Sequence, residues 1–279
     1  MPVSLHDGHS GNGSTPFWKR LFSDTGFAWE FRMRPGDAEG FFAPTDAGGS
    51  LLAETNKWLD ADEKLYTAVT PAGKALVEAA WDAALGWGHV EDPGEGGRDL
   101  AGLARRWEPD ILLLDHATMS VAAGCVCMPS SWDLRHAAGK PLHAVHDLVP
   151  RLNPEIGKQI GRFLARVQPG KAFCRENWSL TRSAERNYHP RLGRPRLDET
   201  VTLDELFLRV EHQLFTGVPE GVLMGIRIEV CRLAELAADP EVWRITMEKI
   251  RTMPDDVAAY KSMDTARDAI VRVMEGWAD

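Results

Sequence analysis

Apolar side chains recur every three or four residues in three parts of the chain, over 70–85, 153–170 and 265–277. The first begins at Thr70 and Pro71, a capping hydroxyl followed by proline, which is typical of a helix start. The second ends at Pro169 and Gly170, a typical helix stop. Each pattern predicts an amphipathic helix that packs one face against a core.

Five short apolar or alternating runs predict strands. Two of them precede the helix at 153–170 and three follow it. The runs are 111–114, 121–128, 172–181, 206–215 and 222–231. Residues 27–33 are a further strand candidate, and 51–60 predict a short helix. This order is satisfied by a five-stranded antiparallel sheet with helices on one face, which is an α+β, PAS-like arrangement.

The composition is that of a globular protein, with 279 residues, 44% hydrophobic and 26% charged. We see neither an internal repeat nor a linker, so we predict one domain over 17–279 with its core at about 110–232. Helices at both ends elaborate this core. The polar, glycine-rich residues 1–16 predict a disordered tail.

A net charge of −9 argues against a surface that binds nucleic acid. No apolar run approaches the length that spans a membrane, so we expect a cytoplasmic protein without a membrane partner. Gly8, Gly11 and Gly13 lack the preceding strand and following helix of a dinucleotide fingerprint. The sequence thus shows no site for NADPH or FAD. It also shows no Ser/His/Asp order, nucleophile elbow, phosphate loop or EF-hand spacing, so an enzyme with this sequence is expected to take its reactive centre from a bound cofactor.

Three of the nine histidines, His136, His143 and His146, lie within eleven residues. His143 and His146 would share one face of a helix, as a metal-binding pair requires. The prolines around them make a regular helix uncertain, and no third ligand stands at an obvious spacing. Spacing alone does not distinguish a metal site from surface imidazoles.

The predicted strands carry polar side chains on one face. Period-two alternation puts Arg175 and Asn177 together on one strand, and Arg209 and Glu211 together on the next. Arg227 lies within an otherwise apolar third strand. Such faces occur as solvent-exposed, salt-bridged surfaces and as the lining of pockets for anionic ligands, and the pattern leaves both open.

An ordered series of motifs resembles the haem-binding alpha subunit of haem-dependent oxidative N-demethylase, the dimethylamine monooxygenase family. The resemblance spans roughly residues 30–262, and the series is more specific than any one motif. The motifs are Cys-Met-Pro-Ser-Ser-Trp at 127–132, Gly-Lys-Pro-Leu and Val-His-Asp-Leu-Val-Pro within 139–150, Arg-Glu-Asn-Trp-Ser at 175–179, Leu-Arg-Val-Glu-His-Gln at 208–213 and Ala-Tyr-Lys at 259–261.

The resemblance implies a PAS-like fold that holds haem b through a histidine and activates O2 at the iron. It implies a monooxygenase, an oxidoreductase that removes an N-methyl group from a small amine as formaldehyde. Electrons would come from a separate reductase that carries FMN and an iron–sulfur centre and draws on NADPH.

The resemblance also suggests residues for each role. It makes His146 the axial iron ligand, with His143 as the alternative. Arg175, Arg209, Trp178 and Arg227 are assigned to cofactor binding. Asn177 and Glu211 are assigned to catalysis on the substrate side. Guanidinium groups pair well with propionates, and a carboxylate can bind an ammonium group or transfer protons.

The chain departs from the family pattern at three places. Leu148 stands where proline is expected, residues 212–215 differ from the usual Arg-x-Gln-Thr-Leu run, and Glu220 reverses a local arginine charge. Two other functions fit the same sequence. One is a PAS-type haem sensor of gas or redox state without catalysis, and the other is a haem-free protein that binds a small anion.

Overall fold

A computed structural model describes residues 17–45, 48–94 and 96–277. The tail predicted for residues 1–16 lies outside the described residues. Eleven α-helices are present in the described part. They are α1 Phe17–Leu21, α2 Ala38–Phe42, α3 Gly48–Tyr66, α4 Gly73–Gly86, α5 Leu100–Ala104, α6 Leu134–Ala137, α7 Leu142–His146, α8 Lys158–Leu164, α9 Pro240–Arg251, α10 Asp255–Tyr260 and α11 Arg267–Glu275. A π-helical turn, Asn153–Gly157, leads into α8.

One antiparallel sheet runs through the protein. Its strands are β1 Arg34–Pro35, β2 Thr67–Val69, β3 Asp110–Asp115, β4 Val121–Cys125, β5 Ala172–Thr181, β6 Phe207–Val218 and β7 Gly221–Arg232. They lie in the order β1-β5-β6-β7-β3-β4-β2. Three connections contain short 3-10 turns, which are Pro190–Leu192, Leu203–Glu205 and Leu233–Ala238.

The α+β class is confirmed, but the five-stranded, PAS-like sheet is wrong because the sheet has seven strands. The five predicted strands are β3 to β7. The two extra strands, β1 and β2, are two and three residues long and pair at the sheet edges. Such short pieces show no periodicity, so the sequence pattern does not reveal them.

The predicted strand at 27–33 is also absent. This segment crosses the edge of the sheet without pairing. The Phe27 backbone N–H donates to Thr252 Oγ1 at 2.9 Å, and the Trp29 indole donates to the Pro150 carbonyl at 2.8 Å. The aromatic residues that suggested a strand therefore make side-chain contacts at the sheet edge.

Two hydrophobic clusters pack on the sheet. The first core includes Trp81, Trp107 and Ile111, and lies under α4 and α5. The second core includes Leu208 and Ile270, and lies under the C-terminal helices α9 to α11. None of the helices in the described ranges is long and apolar enough to cross a membrane.

Candidate functional site

Polar side chains of β5 and β6 meet on one face of the sheet. Asn177 lies opposite Glu211, and Arg175 lies opposite Gln213. Residues at matching register share a face, so these four side chains form one patch, here called the site face. All four are only half-buried although β6 is an interior strand. These four side chains therefore remain partly accessible to solvent.

Residues 142–171, here called the covering segment, pass over the site face. The segment contains α7, the π-helical turn and α8. The Phe163 ring of α8 packs edge-on against Phe173 at 5.2 Å and Phe215 at 5.9 Å, measured between ring centroids. Because Phe173 and Phe215 are partners in the β5–β6 register, they place α8 beside the polar patch.

His146 is the last residue of α7. The Asn153 side-chain amide holds this end of the helix, donating to the His143 carbonyl at 2.8 Å and to Asp147 Oδ1 at 2.6 Å. Burial, with the positive charge of Arg175 as a second cause, lowers the pKa of His146 to about 4. The imidazole is therefore neutral near pH 7, which is the state that binds metal ions. His143, by contrast, is exposed.

Glu211 is the most heavily hydrogen-bonded side chain of the site face. The Ser130 hydroxyl donates to its Oε1 in a short contact. Gln213 and Asn177 donate to Oε2 at 2.9 Å and 3.3 Å. Burial by itself raises the pKa of Glu211, but the charge of Arg209 and the bonds from Ser130 and Asn177 outweigh it and hold the pKa below its usual range. Glu211 is therefore an anion near neutral pH.

Arg209 is only 1% exposed and is fully engaged by protein groups. It donates to Ser130 Oγ at 2.9 Å, to the Arg186 carbonyl at 2.6 Å and to the Met128 carbonyl at 2.5 Å. It thus orients Ser130 and balances the charge of Glu211.

Asp110 stabilises the loop that follows β4 and contains Ser130. This residue was not singled out from the sequence. Its carboxylate accepts hydrogen bonds from the backbone N–H groups of Cys127 and Met128 at 2.8 Å and 2.9 Å. Burial raises the pKa of Asp110 to about 7. An acidic residue at the start of an apolar strand is the only sequence signal for this role.

Arg175 has a different environment from Arg209. Its guanidinium makes no hydrogen bond and no ion pair with any other described residue, although it lies close enough to the covering segment for its charge to act on His146. Burial lowers its pKa, and the nearby charges of Glu211 and Glu176 oppose that effect. A partly desolvated cation of this kind is a natural partner for an anionic ligand.

Lys261 closes the free edge of β5 next to the site face. Its ammonium donates to the Trp178 carbonyl at 2.7 Å and lies 5.4 Å from the ring centroids of both Trp29 and Trp178. Burial lowers the pKa of Lys261 to about 8, while Glu211 opposes the shift. The Ala-Tyr-Lys motif contains this lysine, but the sequence does not show that it reaches β5.

Two of the residues assigned to the cofactor lie elsewhere. The Trp178 ring is on the opposite face of β5 and packs against Phe22 at 5.3 Å. Arg227 is on that opposite face of β7, where it forms an ion pair with Glu108. The structure brings neither side chain to the patch formed by Arg175 and Glu211.

The fold and the site define an α+β protein in which aromatic and charged side chains line the region between the site face and the covering segment, here called the cleft. A family model described as haem-dependent oxidative N-demethylase, alpha subunit-like, matches residues 89–271. The chain belongs to this family, as the resemblance in its motifs predicts.

The residues of the cleft fit a haem. Haem is a flat apolar ring with two carboxylates and an iron that accepts a neutral imidazole. The cleft offers the rings of Phe163, Phe173 and Phe215, the unpaired guanidinium of Arg175 and the neutral imidazole of His146. No group of three or more His, Cys, Asp or Glu side chains within the described ranges could hold a metal ion by itself.

Proposed function

We propose that this protein binds haem b in the cleft between the site face and the covering segment, and oxidises a small amine there. His146 would ligate the haem iron, and Arg175 would pair with a propionate. The observation that supports this most directly is that a neutral imidazole and an unpaired guanidinium lie together in one aromatic cleft. Arg209 supports Ser130 and Glu211 and does not bind the haem itself.

The reaction we propose is oxidative N-demethylation by a monooxygenase. Each turnover consumes O2, two electrons and two protons, and releases the demethylated amine, formaldehyde and water. When bound, the haem iron supplies the oxidation chemistry with O2. The electrons come from a partner subunit or protein, for which we propose an FMN and iron–sulfur reductase that uses NADPH. The alpha subunit description of the family supports such a partner.

Glu211 binds and orients the substrate in this proposal. A small secondary amine is a cation near pH 7, and Glu211 is an anion whose two oxygens are held by Ser130, Gln213 and Asn177. A carboxylate has about four acceptor positions, so it can also accept a hydrogen bond from an ammonium group. Asn177 keeps this carboxylate directed toward the cleft.

The absorption spectrum of the purified protein, expressed with a supply of haem, tests the cofactor assignment. We expect a Soret band that shifts when carbon monoxide is added to the reduced protein. His146→Ala should lose the haem, because no other described side chain of the cleft offers a neutral imidazole. The matched control is His143→Ala, which changes an exposed histidine of the same helix and should retain the haem. Full haem occupancy in His146→Ala would refute the ligand assignment.

Formaldehyde release then tests the reaction. The haem-loaded protein should release formaldehyde from small N-methyl amines when NADPH and a suitable reductase are supplied. A protein that binds haem but releases no formaldehyde from any of these amines would favour the sensor function over the enzyme.

A further inference from the structure

The covering segment differs in charge from the rest of the protein. Residues 142–171 contain five Lys or Arg and two Asp or Glu, a net charge of +3, whereas the whole chain has a net charge of −9. The remaining residues therefore have a net charge of −12. Positive charge is concentrated on the segment that lies over the proposed haem site.

Three of these basic side chains, Lys158, Arg162 and Arg166, follow one another at intervals of four residues and are exposed. We call them the basic stripe. None of the three forms an ion pair with another residue in the described ranges. Phe163, the neighbour of Arg162 on α8, packs onto the site face. The basic stripe therefore belongs to the segment that packs on the site face.

The fold gains no stability from this arrangement. Lys158 and Arg162 lie four residues apart on α8, where like charges repel each other at a cost of about a few tenths of a kcal/mol, and Arg166 lies just beyond the end of the helix. Elsewhere in the chain, exposed arginines such as Arg32 and Arg251 pair with carboxylates. All three side chains of the stripe are exposed, and none is paired with a carboxylate in the described ranges.

The covering segment also exposes an apolar side chain beside the proposed iron ligand. Leu148, two residues after His146, is 74% exposed, and it is the most exposed large hydrophobic residue among those described. Protein interfaces commonly combine apolar contacts with charged groups at their rim. Leu148 and the basic stripe together provide both kinds of contact on one segment.

We propose that the basic stripe and Leu148 form the docking surface for an acidic protein that delivers electrons to this site. The inference depends on the proposed function, which requires an external electron donor. An acidic partner would be repelled by most of this negatively charged chain and attracted to the covering segment. Charge complementarity of this kind increases the association rate and sets the orientation of the partner. The donor would therefore approach on the side nearest the haem.

The test compares two triple variants of the full chain that lower the net charge equally. One is Lys158→Glu/Arg162→Glu/Arg166→Glu in the stripe. The matched control is Lys74→Glu/Arg244→Glu/Arg272→Glu, which changes three exposed basic residues that form no ion pair within the described ranges. The probe is an acidic plant-type ferredoxin with a two-iron, two-sulfur cluster, and its Kd is measured at low ionic strength.

We expect the stripe variant to weaken ferredoxin binding by about tenfold or more, and the control to weaken it by less than about threefold. Added salt should weaken wild-type binding strongly and stripe-variant binding very little. In haem-loaded protein, reduction by reduced ferredoxin should slow in parallel, while reduction by dithionite should not distinguish the two variants. The neutral variant Lys158→Gln/Arg162→Gln/Arg166→Gln should show a smaller loss in the same direction.

Several outcomes would overturn the docking proposal. They are equal losses in both Glu variants, no loss in the stripe variant, and binding of the stripe to vesicles that contain phosphatidylserine but not to ferredoxin. A wild-type dimer that the stripe substitutions dissociate would instead assign the surface to a second copy of the chain. The binding measurement does not need haem. A missing Soret band would therefore refute the proposed function separately.

Discussion

Glu211 accepts hydrogen bonds from three side chains that come from different parts of the chain. Ser130 belongs to the loop after β4, Asn177 to β5 and Gln213 to β6 itself. Their bonds and the charge of Arg209 keep Glu211 ionised despite its burial. A single substitution at Glu211 therefore removes the negative charge on which the proposed amine binding depends.

Glu211→Gln should lower the rate of formaldehyde release by about 100-fold or more, because the amide cannot neutralise an ammonium group or accept a proton. Haem occupancy, measured from the Soret band, should remain close to that of the wild type. Glu229→Gln is the control, since Glu229 lies on the opposite face, paired with His212. Equal activity in wild type and Glu211→Gln would contradict a catalytic role for Glu211.

Asp110 predicts a pH dependence of stability. Its pKa is about 7 in the folded protein and 3.8 in its ordinary state, so the folded chain holds a proton that the unfolded chain has lost between about pH 4 and 7. The free energy of unfolding should therefore fall as the pH rises through this range, by at most about 1.4 kcal/mol per pH unit.

Asp110→Asn should remove that part of the slope, as measured by urea unfolding at a series of pH values. Asp133→Asn should preserve it. A hydrogen bond from the Arg135 side chain lowers the pKa of Asp133 to about 2. This carboxyl therefore does not titrate between pH 4 and 7 in the folded protein. An unchanged slope in Asp110→Asn would show that other groups produce the pH dependence.

The sequence predicted which residues share a face within each strand, because alternation is a local property. Arg175 and Asn177 lie together, as do Arg209 and Glu211. It did not predict the partner of each side chain. Arg227 forms an ion pair with Glu108, which is 119 residues away, and Arg209 donates a hydrogen bond to Ser130, which is 79 residues away.

At the scale of elements, the covering segment depends on a close approach between its end and β6. Pro169 and Gly217 form an isolated parallel bridge. A Cβ at Gly217 would lie 2.2 Å from the backbone carbonyl carbon of Gln168, which no side chain can tolerate without a shift of the backbone. Glycine at 217 therefore allows the chain that follows α8 to approach the backbone of β6.

Gly217→Ala should lower the free energy of unfolding by about 1–3 kcal/mol, because the added methyl group displaces the end of the covering segment. Haem affinity should fall with it. Gly161→Ala is the matched change within α8, where a Cβ meets nothing within 4 Å. There alanine should stabilise the helix by about 0.5–1 kcal/mol. Thermal melts and haem titration of the two variants would show whether their effects are opposite.

At the scale of the whole molecule, the two cores share one sheet. Strand β6 contributes Leu208 and Val210 to the second core and Leu214 and Val218 to the first. The side chains at each end of this strand cannot lose their packing independently without breaking the β6–β7 ladder between them. One domain over 17–279 stays a prediction, which the unfolding behaviour of the protein can test.

The protein should therefore unfold in a single cooperative transition. Leu113→Ala in the first core and Ile270→Ala in the second, both fully buried, should each lower the free energy of unfolding by about 2–5 kcal/mol and shift the entire transition. Calorimetry decides the question, since the calorimetric and van't Hoff enthalpies agree only for a single transition. Two transitions, each shifted by one variant alone, would contradict the one-domain prediction.

The sequence by itself determined the family, the five longer strands, the amphipathic helices α4 and α11, and the polar faces of β5 and β6. These depend on motifs, caps and periodicity, which are properties of neighbouring residues. Only the tertiary structure decided that the sheet has seven strands, that Arg227 faces away from the site, and that Lys261 reaches the Trp178 carbonyl from 83 residues away. Such contacts join residues that are distant along the chain, so no local pattern specifies them.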